Sequence, residues 1–354
     1  MALRRAHVTD FRCVQAASLE LDPHFTLITG PNASGKTSLL EALYFLGRGR
    51  SFRTRHLESL IRSGASRFVV FGEVELGERR VGVGVEGSRD GARAKMGGDR
   101  VASLAALAAV VPVQIIDPEI HRLIEEGPGR RRRFLDWGVF HVEHSFVAHW
   151  QQYQQVLRQR NAALKARQSR SVVAAWDGDL LRLGGLIDSA RRAYVERLAT
   201  VARVSADALL GLEVALSYRS GWPRDQSFEM ALERSWPHDL ELGSTSVGPQ
   251  RAELAIRLNG TPVKDRISRG QQKLLAASLL MAQVKLFPVD GTARPILLLD
   301  DPAAELDDDR LTGLIREVTQ QSVQLIVTSL NPALVGFGVP GRRYLVRAGS
   351  FYEG

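Results

Sequence analysis

The chain has 354 residues, 44% of them hydrophobic and 24% charged, which excludes a disordered polymer and is long enough for two domains with separate cores. Its formal net charge of +8 favours a polyanionic partner such as DNA, RNA or an acidic membrane surface. No run approaches the ~20 apolar residues of a spanning helix and the start lacks a signal-peptide core, so a soluble, cytoplasmic protein is expected. Cys13 is the only cysteine; it excludes an internal disulfide or a cysteine zinc site and reads as a small, inert core residue.

In chain order, the first hundred or so residues read as short strands interrupted by one helix. Val69 and Phe71, then Val81, Val83 and Val85, alternate around a turn at Gly77 to Arg79, and Gly97-Gly98 marks a second turn. From about Pro118 to Ala208 the pattern changes to long, polar, Arg- and Gln-rich helices. In Phe146 to Gln168, for example, Val147, Trp150, Tyr153, Val156 and Leu157 recur at helical spacing. After about Leu212 strands return. The apolar runs Ile296 to Leu299 and Val323 to Thr328 flank a helical stretch, Asp308 to Thr319, as neighbouring parallel strands covered on both faces do. The expected organisation is one α/β domain made from both chain ends, 1–115 and 236–354, with a mainly helical domain, 116–235, inserted between them.

Two segments carry the chemistry. Gly30 to Thr37 has the pattern G-x-x-x-x-G-K-[ST] between the strand Phe25 to Thr29 and a helix with Leu39, Leu40, Leu43 and Leu46 on one face. The glycines let backbone N–H groups face a β-phosphate at a helix start, Lys36 reaches the β/γ-phosphates, and the Thr37 hydroxyl can ligate Mg²⁺. The bland alternative is a glycine turn capping a helix, and the flanking strand and helix count against it. Far downstream, Ile296 to Leu299 end in Asp300 and Asp301, where open α/β sheets bind ligands. Asp300 is the candidate for holding Mg²⁺ and Asp301 for polarising an attacking water. Alone, those acids would read as a solvated turn; joined to the phosphate loop they complete an Mg–nucleotide site.

A third segment, SRGQQKLLAASLLMAQ from Ser268, is an N-capped amphipathic helix that looks like the signature motif of ABC-type ATPases. Together with LLLDDPAAELD (Leu297 to Asp307), GPQRAEL (Gly248 to Leu254), GPGRRRRFLDW (Gly127 to Trp137) and GPNASGKTSLLEALYFLGRGRSFR (Gly30 to Arg53), it resembles the RecF family over nearly the whole chain. The resemblance implies an ABC-type ATPase head, meaning a P-loop NTPase sheet plus an antiparallel N-terminal β subdomain, with the inserted helical domain. It further implies an ATP-dependent homodimer, slow DNA-stimulated ATP hydrolysis, binding to duplex DNA and single-strand/double-strand junctions, and work with RecO and RecR in bringing recombinase to gapped DNA. On matching positions, Gly30, Pro31, Asn32, Ala33, Ser34, Gly35, Lys36, Thr37 and Ser38 would bind ATP in cis, while Ser268, Gly270 and Gln271 would bind it in trans. Arg12 is placed like an arginine that contacts nucleotide, Gln114 like a residue sensing Mg²⁺ and water, Thr328 where transporters have His, and Ala303 to Asp307 like a loop exchanged across the dimer. Gln250 stands where His is more usual.

Arg48, Arg50, Arg53 and Arg55 follow the phosphate-loop helix, and Arg130 to Arg133 precede Phe134, Leu135 and Trp137. Such clusters can neutralise DNA phosphates, with structural pairing to Glu125 and Glu126 as the competing reading for the second group. No base-reading module is evident, which implies backbone-directed binding. The ATPase subunit of a membrane transporter is the main alternative; it would not need the basic insertion and should carry Glu and His at positions 301 and 328. A P-loop small-molecule kinase would leave the Ser268 helix without a purpose.

Overall fold

The structure, a computed structural model, describes residues 1–101, 104–263, 266–288, 294–304, 313, 315, 318, 322–330 and 340–354. It divides into two compact units, Met1–Ile120 with Phe287–Gly354, and His121–Leu286. The chain ends therefore share one unit. Segment 236–286, expected with the C-terminal part of the head, belongs instead to the second unit, because its helix Arg269–Lys285 packs along the helix Asp177–Leu210. No helix among the described residues is long and apolar enough to cross a membrane.

The first unit contains two sheets with a helix between them. In one, Val14–Glu20, Ala2–Phe11, Arg67–Leu76, Arg79–Ser88, Gly91–Met96 and Asp99–Arg100 follow each other in antiparallel order. In the other the order is Ser350–Glu353, Arg342–Arg347, Phe25–Thr29, Gln324–Ser329, Ile296–Asp300, Val113–Ile116, all parallel except the first pair. Every residue of Ile296–Asp300 and Gln324–Ser329 is buried, which is why these strands read as continuous apolar runs. In Arg67–Leu76 it is Phe68, Val70 and Val74 that are fully buried, and Val69 and Phe71 lie on the other face. Both faces of that strand are apolar in sequence, so only its partner decides which one is core.

That partner is the phosphate-loop helix, Lys36–Arg48, buried from Ser38 to Gly47. A helix apolar on nearly every side can only be stable when covered on both sides, and here both sheets contribute to its core. Phe45 meets Phe11 and Phe68 edge-on, with ring centroids 6.4 and 5.2 Å away. Truncating Phe45 to Ala would cost about 3–5 kcal/mol. The helix stops at Gly49, whose φ of 61° lets its N–H return to the Phe45 carbonyl.

The second unit is built on the helices Pro128–Val142, Phe146–Lys165 and Asp177–Leu210, with the antiparallel sheet Val214–Arg219, Glu253–Leu258, Thr261–Pro262. Two arginines are buried inside it. Arg191 pairs with both oxygens of Asp136 at 2.8 and 3.0 Å and donates to the Pro249 carbonyl. Arg160 joins Asp177, Asp239 and Thr245. Gln250 accepts from Tyr153 and donates to the Thr245 and Val247 carbonyls, so it braces the loop before Gly248 to Leu254. The helix expected at Asp308 to Thr319 lies outside the described residues, apart from residues 313, 315 and 318.

Candidate nucleotide site

The strand Phe25–Thr29 runs into a loop whose residues Pro31 to Ala33 are exposed and whose Ser34, Gly35 and Lys36 are buried. Left-handed backbone at Ala33 (φ 59°) and Gly35 (φ 109°) curls the loop, and a methyl group on Gly30 would lie 2.5 Å from the Val346 carbonyl. Gly35 offers no side-chain cap, and the first turn holds no acid. The opening N–H groups are thus free of side-chain acceptors, and the helix dipole favours an anion there. Lys36 bends back over the loop, donating to the carbonyls of Gly30 (2.7 Å) and Pro31 (2.9 Å). Burial lowers its pKa, countered in part by Asp301 and Asp300. Among the described residues the buried Ser34 hydroxyl has no protein partner, as a group awaiting a ligand oxygen would have none.

Thr37, at the start of the helix, donates to Asp300 Oδ1 at 3.0 Å across 263 residues of sequence. Thr328, fully buried on the neighbouring strand, donates to the same oxygen at 2.9 Å and accepts from the Asp301 N–H at 3.0 Å. Burial raises the pKa of Asp300; the Thr328 and Thr37 hydroxyls and the charge of Arg53 pull it down, while Asp301 adds to the rise. Asp301 takes φ 46°, a costly conformation for a non-glycine residue, and its Oδ1 accepts weakly from the Leu330 N–H at 3.4 Å. Parallel pairing therefore brings Thr37, Asp300, Asp301 and Thr328 together. The uncapped helix start, the orphaned Ser34 hydroxyl, Lys36 and the Thr37–Asp300 pair fit a nucleoside triphosphate with a divalent cation.

Other expected site residues are placed differently. Gln114 is buried and registers with Leu297, so it sits about 10 Å along the strands before Asp300. The register instead brings Asp117, just beyond the strand end, toward the level of Asp300. Cys13 is exposed, not core, with Sγ 3.4 Å from the Ser38 hydroxyl. It follows the outward-turned Arg12, whose φ is 55°. Arg12 is committed to Glu41, donating from Nε to Oε2 at 3.0 Å and from Nη2 to Oε1 at 2.9 Å, and its Nη1 reaches the Ser59 carbonyl at 2.8 Å. Sequence reasoning missed Glu41. The available signal was a lone acid among apolar residues, one helical turn after Thr37.

Ser268, Gly270 and Gln271 are exposed at the start of Arg269–Lys285. The Ser268 hydroxyl accepts from the Gln271 N–H at 3.3 Å, and Gln271 Oε1 accepts from the Ser268 N–H at 3.0 Å, a reciprocal capping box. Of the exchange loop, Glu305 to Asp307 lie outside the described residues. Among the arginines, Arg131 holds both oxygens of Glu253 at 2.8 and 2.9 Å, and Arg130 holds both of Glu126 at 2.8 and 3.1 Å. Those two are taken by structural pairing: the turn before the helix Pro128–Val142 sets Glu126 beside Arg130, and packing against the strand Glu253–Leu258 brings Glu253 to Arg131. Arg50 and Arg55 are exposed, Arg48 lies 5.7 Å over the Tyr44 ring, and Arg53 Nη1 is 3.5 Å from Glu41.

Residues 2–338 match the family model described as the RecF/RecN/SMC N terminal domain. The chain is 39% identical over 355 residues to the DNA replication and repair protein RecF of Yersinia pseudotuberculosis, covering 99% of this chain and 98% of that one. It is 38% identical to the protein of the same name from Vibrio cholerae, covering 95% and 94%. A solved structure of the recombination mediator protein RecF with ATP, in the RecFOR pathway, is similar at TM-score 0.89 and 26% identity, covering 100% of this chain and 97% of that one. An Smc head bound to the C-winged helix domain of ScpA shares the fold at TM-score 0.60 and 16% identity, covering 100% and 97%.

Proposed function

We propose, from the premise that this chain belongs to the RecF family of DNA replication and repair proteins, that it is an ATP-gated DNA clamp or loader. The fold is that of an ABC-type ATPase head with a helical second unit. The observation that carries the reading is the Thr37–Asp300 contact beside the orphaned Ser34 hydroxyl, which joins the phosphate loop to the acidic strand end.

In this reading Gly30 to Ser38 cradle the triphosphate of ATP, with Lys36 exchanging its carbonyl partners for phosphate oxygens. Thr37 and Asp300 would hold Mg²⁺, which would supply charge neutralisation on the phosphates. Thr328 fixes the rotamer of Asp300, and Asp301 polarises the attacking water. A carboxylate shorter than Glu and the lack of an imidazole at Thr328 favour slow hydrolysis, so ATP acts as a switch. Arg12 acts through its ion pair with Glu41. Ser268, Gly270 and Gln271, exposed on one copy, close over the nucleotide of a second copy and make the dimer depend on ATP. DNA affinity is then linked to nucleotide state, and by reciprocity DNA favours the closed dimer.

Duplex and junction DNA, met through Arg48, Arg50 and Arg55, and RecR with RecO are the partners this assigns, in the cytoplasm. The relatives found are repair proteins, which leaves the transporter alternative unsupported. The test is duplex and gapped DNA binding with and without ATP, with Lys36→Ala and Ser268→Ala beside the parent. The expected result is DNA binding that rises with ATP in the parent and in neither variant. DNA binding indifferent to ATP, or a Ser268→Ala protein that dimerises normally with ATP, would overturn the clamp.

A further inference from the structure

Thr37, Glu41, Tyr44 and Arg48 stand at i, i+4, i+7 and i+11 of the phosphate-loop helix, so they form one stripe along its side. Glu41, the second member, is 0% exposed. A carboxylate withdrawn from water is tolerated only when paired and hydrogen-bonded, and three groups from outside the helix satisfy it. Arg12 donates to both oxygens, the Ser51 hydroxyl donates to Oε1, and Arg53 stands 3.5 Å from Oε2.

Ser51 also accepts the N–H groups of Arg53 (2.9 Å) and Thr54 (3.0 Å). The turn that presents Arg53 and Arg55 is therefore organised around a hydroxyl that donates to Glu41. One turn further along the helix, buried Tyr44 meets Phe52 edge-on at 5.4 Å and lies under Arg48. Burial alone would raise the Tyr44 pKa, yet the charges of Arg48 and Arg50 lower it. The basic segment is thus fastened at two points to the helix whose first turn forms the phosphate loop.

We propose that Glu41 is a positioning residue that holds the segment Arg48 to Arg55 on the phosphate-loop helix, so that nucleotide occupancy is passed to the arginines facing DNA. The proposal rests on the reading of the chain as an ATP-gated DNA-binding protein. A helix moves as a rigid body, and any displacement at Thr37 is carried through Glu41 to Ser51 and its turn. Arg12 anchors the far side of the same carboxylate to the antiparallel sheet. The Glu41 carboxylate is bonded to Arg12 and Ser51.

The test uses the full chain with Glu41→Gln and Ser51→Ala, reading affinity for a fluorescent ATP analogue and duplex DNA affinity with and without ATP. Both variants should bind the analogue and, without ATP, the duplex within about threefold of the parent, while the gain in DNA affinity produced by ATP falls about tenfold, within the usual range of coupling between sites. The double variant should lose no more than either single one. If Glu41→Gln does not fold, Ser51→Ala carries the same expectation, because Ser51 lies in a part-exposed turn. Variants that keep the ATP-dependent gain, or that lose analogue and DNA binding together in proportion to lost folding, overturn the role of Glu41 alone. A parent whose DNA binding ignores ATP overturns the functional reading beneath it as well.

Discussion

The helices Lys36–Arg48 and Arg269–Lys285 begin in opposite ways. The first starts at a glycine with no side-chain cap, beside a buried serine hydroxyl that lacks a protein partner. The second starts with a closed reciprocal box in which Ser268 and Gln271 already satisfy each other's backbone. One helix start is open to an anion in the isolated chain; the other is content until something better displaces its cap. A cradle that binds first and a lid that joins second would need this asymmetry. The same division, open against already satisfied, separates the arginines, since Arg55 faces solvent while Arg131 is engaged with Glu253.

The largest expected effect probes the open start. ATP with Mg²⁺ at a hundredfold over its Kd should stabilise the parent by about 2.7 kcal/mol, and Lys36→Ala should lose nearly all of that. Thermal unfolding with and without nucleotide, and after chelation of the metal, reads it; an undiminished ATP shift in Lys36→Ala would erase the contrast. Next, Arg131→Ala should destabilise the chain by roughly 2 kcal/mol, because Glu253 loses charge-assisted bonds in a largely buried setting. Urea unfolding measures that cost, and the salt slope of DNA binding should stay at the parental value.

For the capped start, Ser268→Ala should cost about 1 kcal/mol of stability through the lost cap. The diagnostic readout is the mass from sedimentation in ATP: the variant should remain monomeric where the parent dimerises, and a variant dimer would show that the box is only a cap. Among the arginines, Arg55→Ala should flatten the plot of log K against log salt by about one unit, the mark of one lost phosphate contact. Arg130→Ala should be the mildest change, under about 1 kcal/mol in stability for an exposed i,i+4 pair, with DNA affinity unmoved. A steep DNA defect in Arg130→Ala would return that helix to the DNA-binding surface.

The nucleotide half-site was legible early because its parts are contiguous. A strand, a glycine turn and a helix with Lys36 and Thr37 at set spacing leave few other foldings, and an apolar strand ending in Asp300 sets its acids at the carboxyl end of the sheet. Gln114 shows the limit of such reasoning. Its level in the sheet depends on pairing with Leu297, which spacing along one strand does not encode. Cys13 was read as core from residue type alone, and a left-handed Arg12 turned it outward.

Amino-acid order alone therefore determined what neighbours in the chain can decide: the phosphate loop, the N-capped helix at Ser268 and the α/β class of the ends. Those features arise from backbone geometry and periodicity within a few residues. Tertiary structure decided which charges are spent and which remain open. Arg131 meets Glu253 across 122 residues, Arg12 meets Glu41 across 29, and the Ser268 helix joins the helical unit. Such pairings depend on which faces packing brings together, and the strength of each charge then follows from the water it has lost.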